Sequence, residues 1–125
     1  MKTSELFKRY LQSEGFPCTI DEDGDVKFKY EGKTFYLTDS GKDELFFRII
    51  MPNIYDVEED ERVKVLEACN EVTRDIKVVK AFIVNDSLWL SIEILIDTTP
   101  EMGDIVPRLL DILMGSYRRM ADLLG

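Results

Sequence analysis

The sequence predicts an α+β fold in which helices pack on an antiparallel sheet of about five strands, in the order α-β-β-β-α-β-β-α. Three observations carry this expectation. Apolar residues recur at i, i+3, i+4 near both ends of the chain and once in the middle. Between those stretches apolar and polar residues alternate. The alternating stretches are joined by pairs such as Glu31-Gly32 and Asn85-Asp86, which fit tight antiparallel hairpins.

The first helix is expected over 4–14. Leu6, Phe7, Tyr10 and Leu11 form one apolar stripe, Thr3 or Ser4 suits the N-cap, and Gly15 followed by Pro17 stops the helix. In the next segment Val26, Phe28 and Tyr30 alternate with Asp25, Lys27 and Lys29, between Asp23-Gly24 and Glu31-Gly32 turns. A further strand carries Phe35 and Leu37 on one face and ends at Asp39-Ser40-Gly41. The run Glu44–Met51 is apolar on both faces apart from Arg48, which marks an inner strand that Pro52 is expected to end.

A second helix is expected over 57–76, with Asp56 and Glu59 at capping-box spacing. Val63, Val65, Leu66, Cys69, Val72 and Ile76 form its stripe. A hairpin follows through Asn85-Asp86. In its second strand Leu88, Leu90, Ile92, Ile94 and Ile96 point to the core, while Trp89, Ser91, Glu93 and Leu95 point away. The last helix is expected over 100–124, with Thr99 as N-cap, Pro100 at the first helical position and Pro107 as a kink or a delayed start.

The 125 residues fit a single domain, 1–125, and 45% hydrophobic residues suffice for a core without disulfides or metals. No apolar run approaches the ~20 residues of a membrane helix. The charged N-terminal stretch does not read as a secretion signal, so a cytoplasmic protein is expected. A net charge of −9 argues against nucleic acid and against anionic membrane surfaces as partners. Cys18 and Cys69 are a single pair, expected reduced, with Cys69 in the core.

No histidine is present, which removes the usual metal ligand and the usual general base together. Asp21–Asp25 resembles the start of a calcium loop, but Val26 and Gly32 stand where that loop needs glycine and glutamate. Gly32-Lys33-Thr34 lacks the earlier glycine and the following helix of a phosphate-binding loop. No serine, cysteine or lysine has a base beside it in sequence. The reading is therefore no catalytic residue, no metal and no cofactor.

Two features stand outside the core pattern. Trp89 and Leu95 share the strand face opposite the core stripe, which leaves apolar surface for a partner or a covering helix. Asn70 is a polar residue in mid-helix beside Leu66 and Thr73.

The succession Asp21–Gly32, Phe46–Tyr55, Val65–Val72 and Lys77–Ile96 is similar to the YbjN family, whose members are described as bacterial regulators of sensory transduction. The resemblance covers about residues 10–115. It rests on the aromatic-rich strand after the Asp-Gly turn, on Met51-Pro52-Asn53-Ile54-Tyr55, on Asn70 and on Lys77-Val78. Tyr55 departs from the pattern, which has tryptophan there in many members. The resemblance implies the fold of class I type III secretion chaperones, which are small, acidic, homodimeric proteins that hold extended segments of a partner.

From residues and resemblance together, the expectation is a non-enzymatic protein-binding module, chaperone-like or regulatory, with a protein or peptide client. A homodimer is expected through the second helix and the final hairpin, with Trp89 at or near the interface. Trp89, Leu95, Asn70 and Tyr55 are the candidate partner or dimer residues. The alternatives are a small enzyme with an acidic carboxylate pocket, or a structural subunit of a larger assembly.

Overall fold

The structure, a computed structural model, describes residues 2–39, 41–97 and 100–125. The elements are α1 (Thr3–Ser13), β1 (Cys18–Ile20), β2 (Val26–Tyr30), β3 (Lys33–Leu37), β4 (Phe46–Asp56), a 3₁₀ turn (Glu59–Glu61), α2 (Arg62–Asp75), β5 (Val79–Val84), β6 (Ser87–Leu95) and α3 (Met102–Leu124). The described residues form one six-stranded sheet in the order β1-β2-β3-β4-β6-β5, with every pairing antiparallel.

The α+β class stands, with six strands in place of about five. The additional one is β1, three residues paired with the first half of β2, Val26–Phe28. A run that short shows no alternation, so the period-2 pattern could not reveal it.

The two-residue turns set the register. Glu31 (φ +49°) and Gly32 (φ +77°) both occupy left-handed conformations, the requirement of the tight turn between β2 and β3. Asn85 (φ +57°) does the same between β5 and β6, where it places Phe82 opposite Trp89.

All three helices contribute to one core with the inward-facing residues of the strands. Phe7 on α1 is fully buried edge-on against Phe28 and Phe47, at ring distances of 5.2 and 5.7 Å. Val65, Ala68, Cys69 and Val72 face α2 inward, and Val106, Leu109, Leu110 and Leu113 do so on α3. On β6 the stripe Leu88, Leu90 and Ile92 is buried as expected, as is Ile96 just past the strand, and Ile94 is half-buried.

Several local expectations are corrected. Lys2 is the N-cap of α1, and Thr3 instead binds Glu44: its N–H donates to the carboxylate and its hydroxyl to the carbonyl, at 3.1 and 2.8 Å. An acceptor 41 residues away thus satisfies an orphan donor at this helix end. Gly15 (φ +82°) ends α1 as expected, and the Phe16 N–H reaches the Leu11 carbonyl.

Pro52 does not end β4. The pairing with β6 shifts between Met51 and Tyr55, with Asn53 at φ +54°, so a bulge absorbs the proline and the strand resumes to Asp56. Asp56 therefore lies in a strand, and the capping box belongs to Glu58 and Glu61. Glu101 is the N-cap of α3, which places Pro100 before the helix, and α3 runs through Pro107 from Met102. Thr99, the expected N-cap, lies outside the described residues.

Val78 joins α2 to β5 at φ +57°, which is costly for a β-branched residue. The left-handed conformation costs an L-residue about 1–2 kcal/mol, and glycine's larger unfolded-state entropy costs about 0.5–1 kcal/mol. Val78 is 51% exposed, so little burial is at stake. Val78→Gly is expected to stabilise the fold by about 0.5–1 kcal/mol in urea unfolding; a lower midpoint would mean that the valine side chain holds the junction.

Candidate partner-binding surface

Among the described residues the helices share one side of the sheet, and none of them lies over the other. Alternation along the paired strands fixes what this open face carries. Strand pairing places Thr19, Lys27, Tyr36, Ile50, Ser91 and Lys80 in one row across all six strands. Trp89 and Phe82 form a neighbouring cross-strand pair, with ring centroids 6.2 Å apart. Farther along, Arg48 pairs with Glu93 and Phe46 with Leu95.

Ile50 (7% exposed) and Ser91 (0%) are buried on this side yet stand outside the helix-covered cluster. Trp89 is half-buried and Leu95 is 77% exposed. The reading in which a helix of the same chain covers Trp89 does not hold among the described residues.

One small ionic network crosses the face. Glu93 accepts from Lys80 Nζ at 2.9 Å and from the Ser91 hydroxyl at 3.0 Å, and Arg48 Nε stands 3.9 Å away. Partial burial pushes the Glu93 pKa up. The hydrogen bonds from Lys80 and Ser91, with the charges of Lys80 and Arg48, outweigh that and hold it below the usual carboxylate range. Glu93 is therefore ionised at neutral pH.

Asn70 lies elsewhere, on the outer face of α2, in line with Leu66 (50% exposed) and Val63 (71%). Both apolar residues were expected in the core stripe. The helix turns them outward because Val65, Ala68, Cys69 and Val72 already fill its inward face. The Asn70 side chain has no hydrogen bond among the described residues. Arg119 of α3 ties α2 in place through Glu71 and Asp75, at 2.9 and 3.1 Å.

Tyr55 is on the helix side, just past the bulge. Its hydroxyl donates to Glu61 at 2.7 Å, which raises the tyrosine pKa and lowers that of Glu61. With Ile54, Tyr117, Met120 and Leu124 it lines a mainly apolar cleft of about 250 Å³ at the end of α3. The structure thus brings Trp89 and Leu95 onto one face and puts Asn70 and Tyr55 on the other side of the sheet.

Sequence reasoning missed Phe82, Tyr36, Ile50 and the Lys80–Glu93–Arg48 network. A two-residue turn at Asn85-Asp86 already puts Phe82 across from Trp89, so that partner was readable from hairpin register. Tyr36 and Ile50 needed the strand order. Elsewhere, one carboxylate oxygen each of Asp21, Asp23 and Asp25 lie within 4.8 Å of one another. Asp21 there accepts the backbone N–H groups of Asp23 and Asp25, the usual way an aspartate holds a turn. The Cys69 thiol is pushed up to about 11 by burial, which leaves it unreactive at neutral pH.

No curated protein matches the sequence. Among solved structures, the crystal structure of YbjN from E. coli is similar with a TM-score of 0.67. That match covers 94% of this chain and 88% of YbjN at 9% identity, which is a likeness of fold. A family model described as "T3SS (YopN, CesT) and YbjN peptide-binding chaperone 1" matches residues 3–124, so the chain belongs to this family, TY-Chap1.

Proposed function

We propose that this protein is a non-enzymatic, chaperone-like or regulatory module that holds an extended segment of a partner protein on its open sheet face. The observation that carries the reading is the aromatic and aliphatic surface around Trp89 and Phe82, on a side of the sheet that no helix covers among the described residues. Membership of a peptide-binding chaperone family supports it. Large apolar patches bordered by polar groups mark interaction sites in soluble proteins. The two free thiols, Cys18 and Cys69, suit a cytoplasmic setting.

The carboxyl groups with shifted pKa values, Glu61, Asp75 and Glu93, all move down. Each is held ionised by the donors beside it: the Tyr55 hydroxyl at Glu61, Arg74 and Arg119 at Asp75, and Lys80 and Ser91 at Glu93.

The reading includes a homodimer. Val63 and Leu66 are exposed on α2, which lies along β5, the outer strand of the final hairpin. The Ala81 N–H on β5 donates to Thr73 of α2 at 3.0 Å. Two copies meeting along this helix and edge would bury both apolar residues while each open face stays available. Trp89 then belongs to the partner site and Asn70 to the dimer.

The binding reading is tested on an array of extended peptides probed with wild type and with Trp89→Ala. Trp89→Ala is expected to fold and to weaken binding at least tenfold, the order of one interface hot spot of about 2 kcal/mol. Binding that survives the substitution unchanged would remove the open face as the site.

A further inference from the structure

The chain carries a net charge of −9, but its charges are not evenly spread. Within the strands, the outward positions of the open face hold four cations, Lys27, Lys29, Arg48 and Lys80. Against them stand two carboxylates, Glu93 and, at the far end of β4, Asp56. Glu93 is already engaged by Lys80 and Arg48. Lys27 and Lys29 are exposed and have no ion-pair partner among the described residues. A surface of net positive charge on a strongly acidic protein attracts the opposite of what the whole molecule attracts.

The geometry narrows the partner further. Lys27 on β2 and Lys80 on β5 share one row, with Tyr36, Ile50 and Ser91 between them and Thr19 beyond Lys27 on β1. Four strand intervals separate them, about 19 Å at the usual spacing, which an extended chain spans in about six residues. The face therefore offers cations on either side of a stretch that carries Tyr36, with Trp89 in the neighbouring row.

We propose that the open face takes an acidic segment of a partner protein that crosses the strands. Carboxylates about six residues apart sit at Lys27 and Lys80, with aromatic or aliphatic side chains between them on Tyr36 and Trp89. This rests on the open face being the partner site, and it adds the chemistry of what binds there. The negative charge of the whole molecule and the Glu93 carboxylate on the face favour a peptide over single-stranded RNA, which would also use basic and aromatic groups.

Trp89 is the chain's only tryptophan, so its emission reports this face directly. Three tryptophan-free probes are titrated against the full chain: a peptide with glutamates at both ends and phenylalanine and leucine between, the same peptide with lysine for glutamate, and oligouridylate. The acidic peptide is expected to shift the emission saturably, more weakly as salt rises, and about tenfold more weakly with K27E/K29E or K27E/K80E. The first of these variants disturbs no ion pair, so its folding is not in question. Equal or tighter binding of the lysine peptide, or no effect of either variant, would overturn the acidic assignment and leave the open face as a partner site. Tighter binding of oligouridylate would make the face a nucleic-acid site. An emission that changes with protein concentration alone would give the face to a second copy. No response to any probe would overturn both this proposal and the reading beneath it.

Discussion

Phe7→Ala is expected to lower the unfolding free energy by about 3–5 kcal/mol. Phe7 is fully buried at the point where α1 meets the sheet, edge-on to Phe28 and Phe47. Removing the ring loses its burial, leaves a cavity between two strands and a helix, and breaks both aromatic contacts. On α1 only Phe7 and Leu11 are buried, so little else anchors this helix. The loss is a large part of a typical domain stability of about 5–15 kcal/mol. Urea unfolding followed by circular dichroism measures it. Leu95→Ala is the control: Leu95 is 77% exposed, and its removal should change stability by less than about 0.5 kcal/mol. A small effect for Phe7→Ala would mean that α1 is not part of the cooperative core.

Leu66→Asp is expected to weaken the proposed dimer by about a hundredfold, in line with a loss of about 2–3 kcal/mol at a central interface position. Leu66 is half exposed and Val63 more so, on the face of α2 turned away from the core. The substitution therefore spares the interior and puts a buried, unpaired charge into any contact made there. Sedimentation equilibrium reads the outcome. Wild type should approach twice 14.5 kDa at tens of micromolar, while Leu66→Asp should stay folded near 14.5 kDa. A monomeric wild type would reject the dimer, and a dimeric Leu66→Asp would move its interface elsewhere.

The parts of the fold that could be read from residues share one property: their signal is local. Gly15 ends α1 because its own φ allows it, and Asn85-Asp86 closes β5 on β6 because two residues suffice. The opposite sides of Leu88–Ile96 and Trp89–Leu95 followed from alternation alone. What escaped depended on distant neighbours. Thr3 reads as a cap in sequence, but Glu44 stands close enough to take both its N–H and its hydroxyl. Pro52 reads as a strand end, but pairing with β6 on both sides of the bulge carries β4 past it. Val63 and Leu66 fit the apolar period of a helix that has more apolar residues than its inward face can hold.

The site shows the same division. Trp89 and Leu95 were visible as apolar residues on the wrong side of a core strand. Tyr36 and Ile50 became their neighbours only through the order β3-β4-β6, which long loops and α2 determine. Asn70 and Tyr55 were grouped with Trp89 in sequence, and the structure places them on the other side of the sheet. Asn70 sits on an outer helix face, and Tyr55 is directed into the cleft beside α3 by the bulge that follows Met51.

The most direct test of the open face as the partner site is a backbone amide chemical-shift map of the labelled protein titrated with the glutamate-flanked peptide. The account predicts that the largest shifts fall on Lys27, Tyr36, Ile50, Lys80, Phe82, Trp89 and Ser91, with α1 and α3 nearly unmoved. Shifts centred instead on the cleft of Ile54, Tyr55, Tyr117 and Leu124, with the Trp89 strand still, would contradict it.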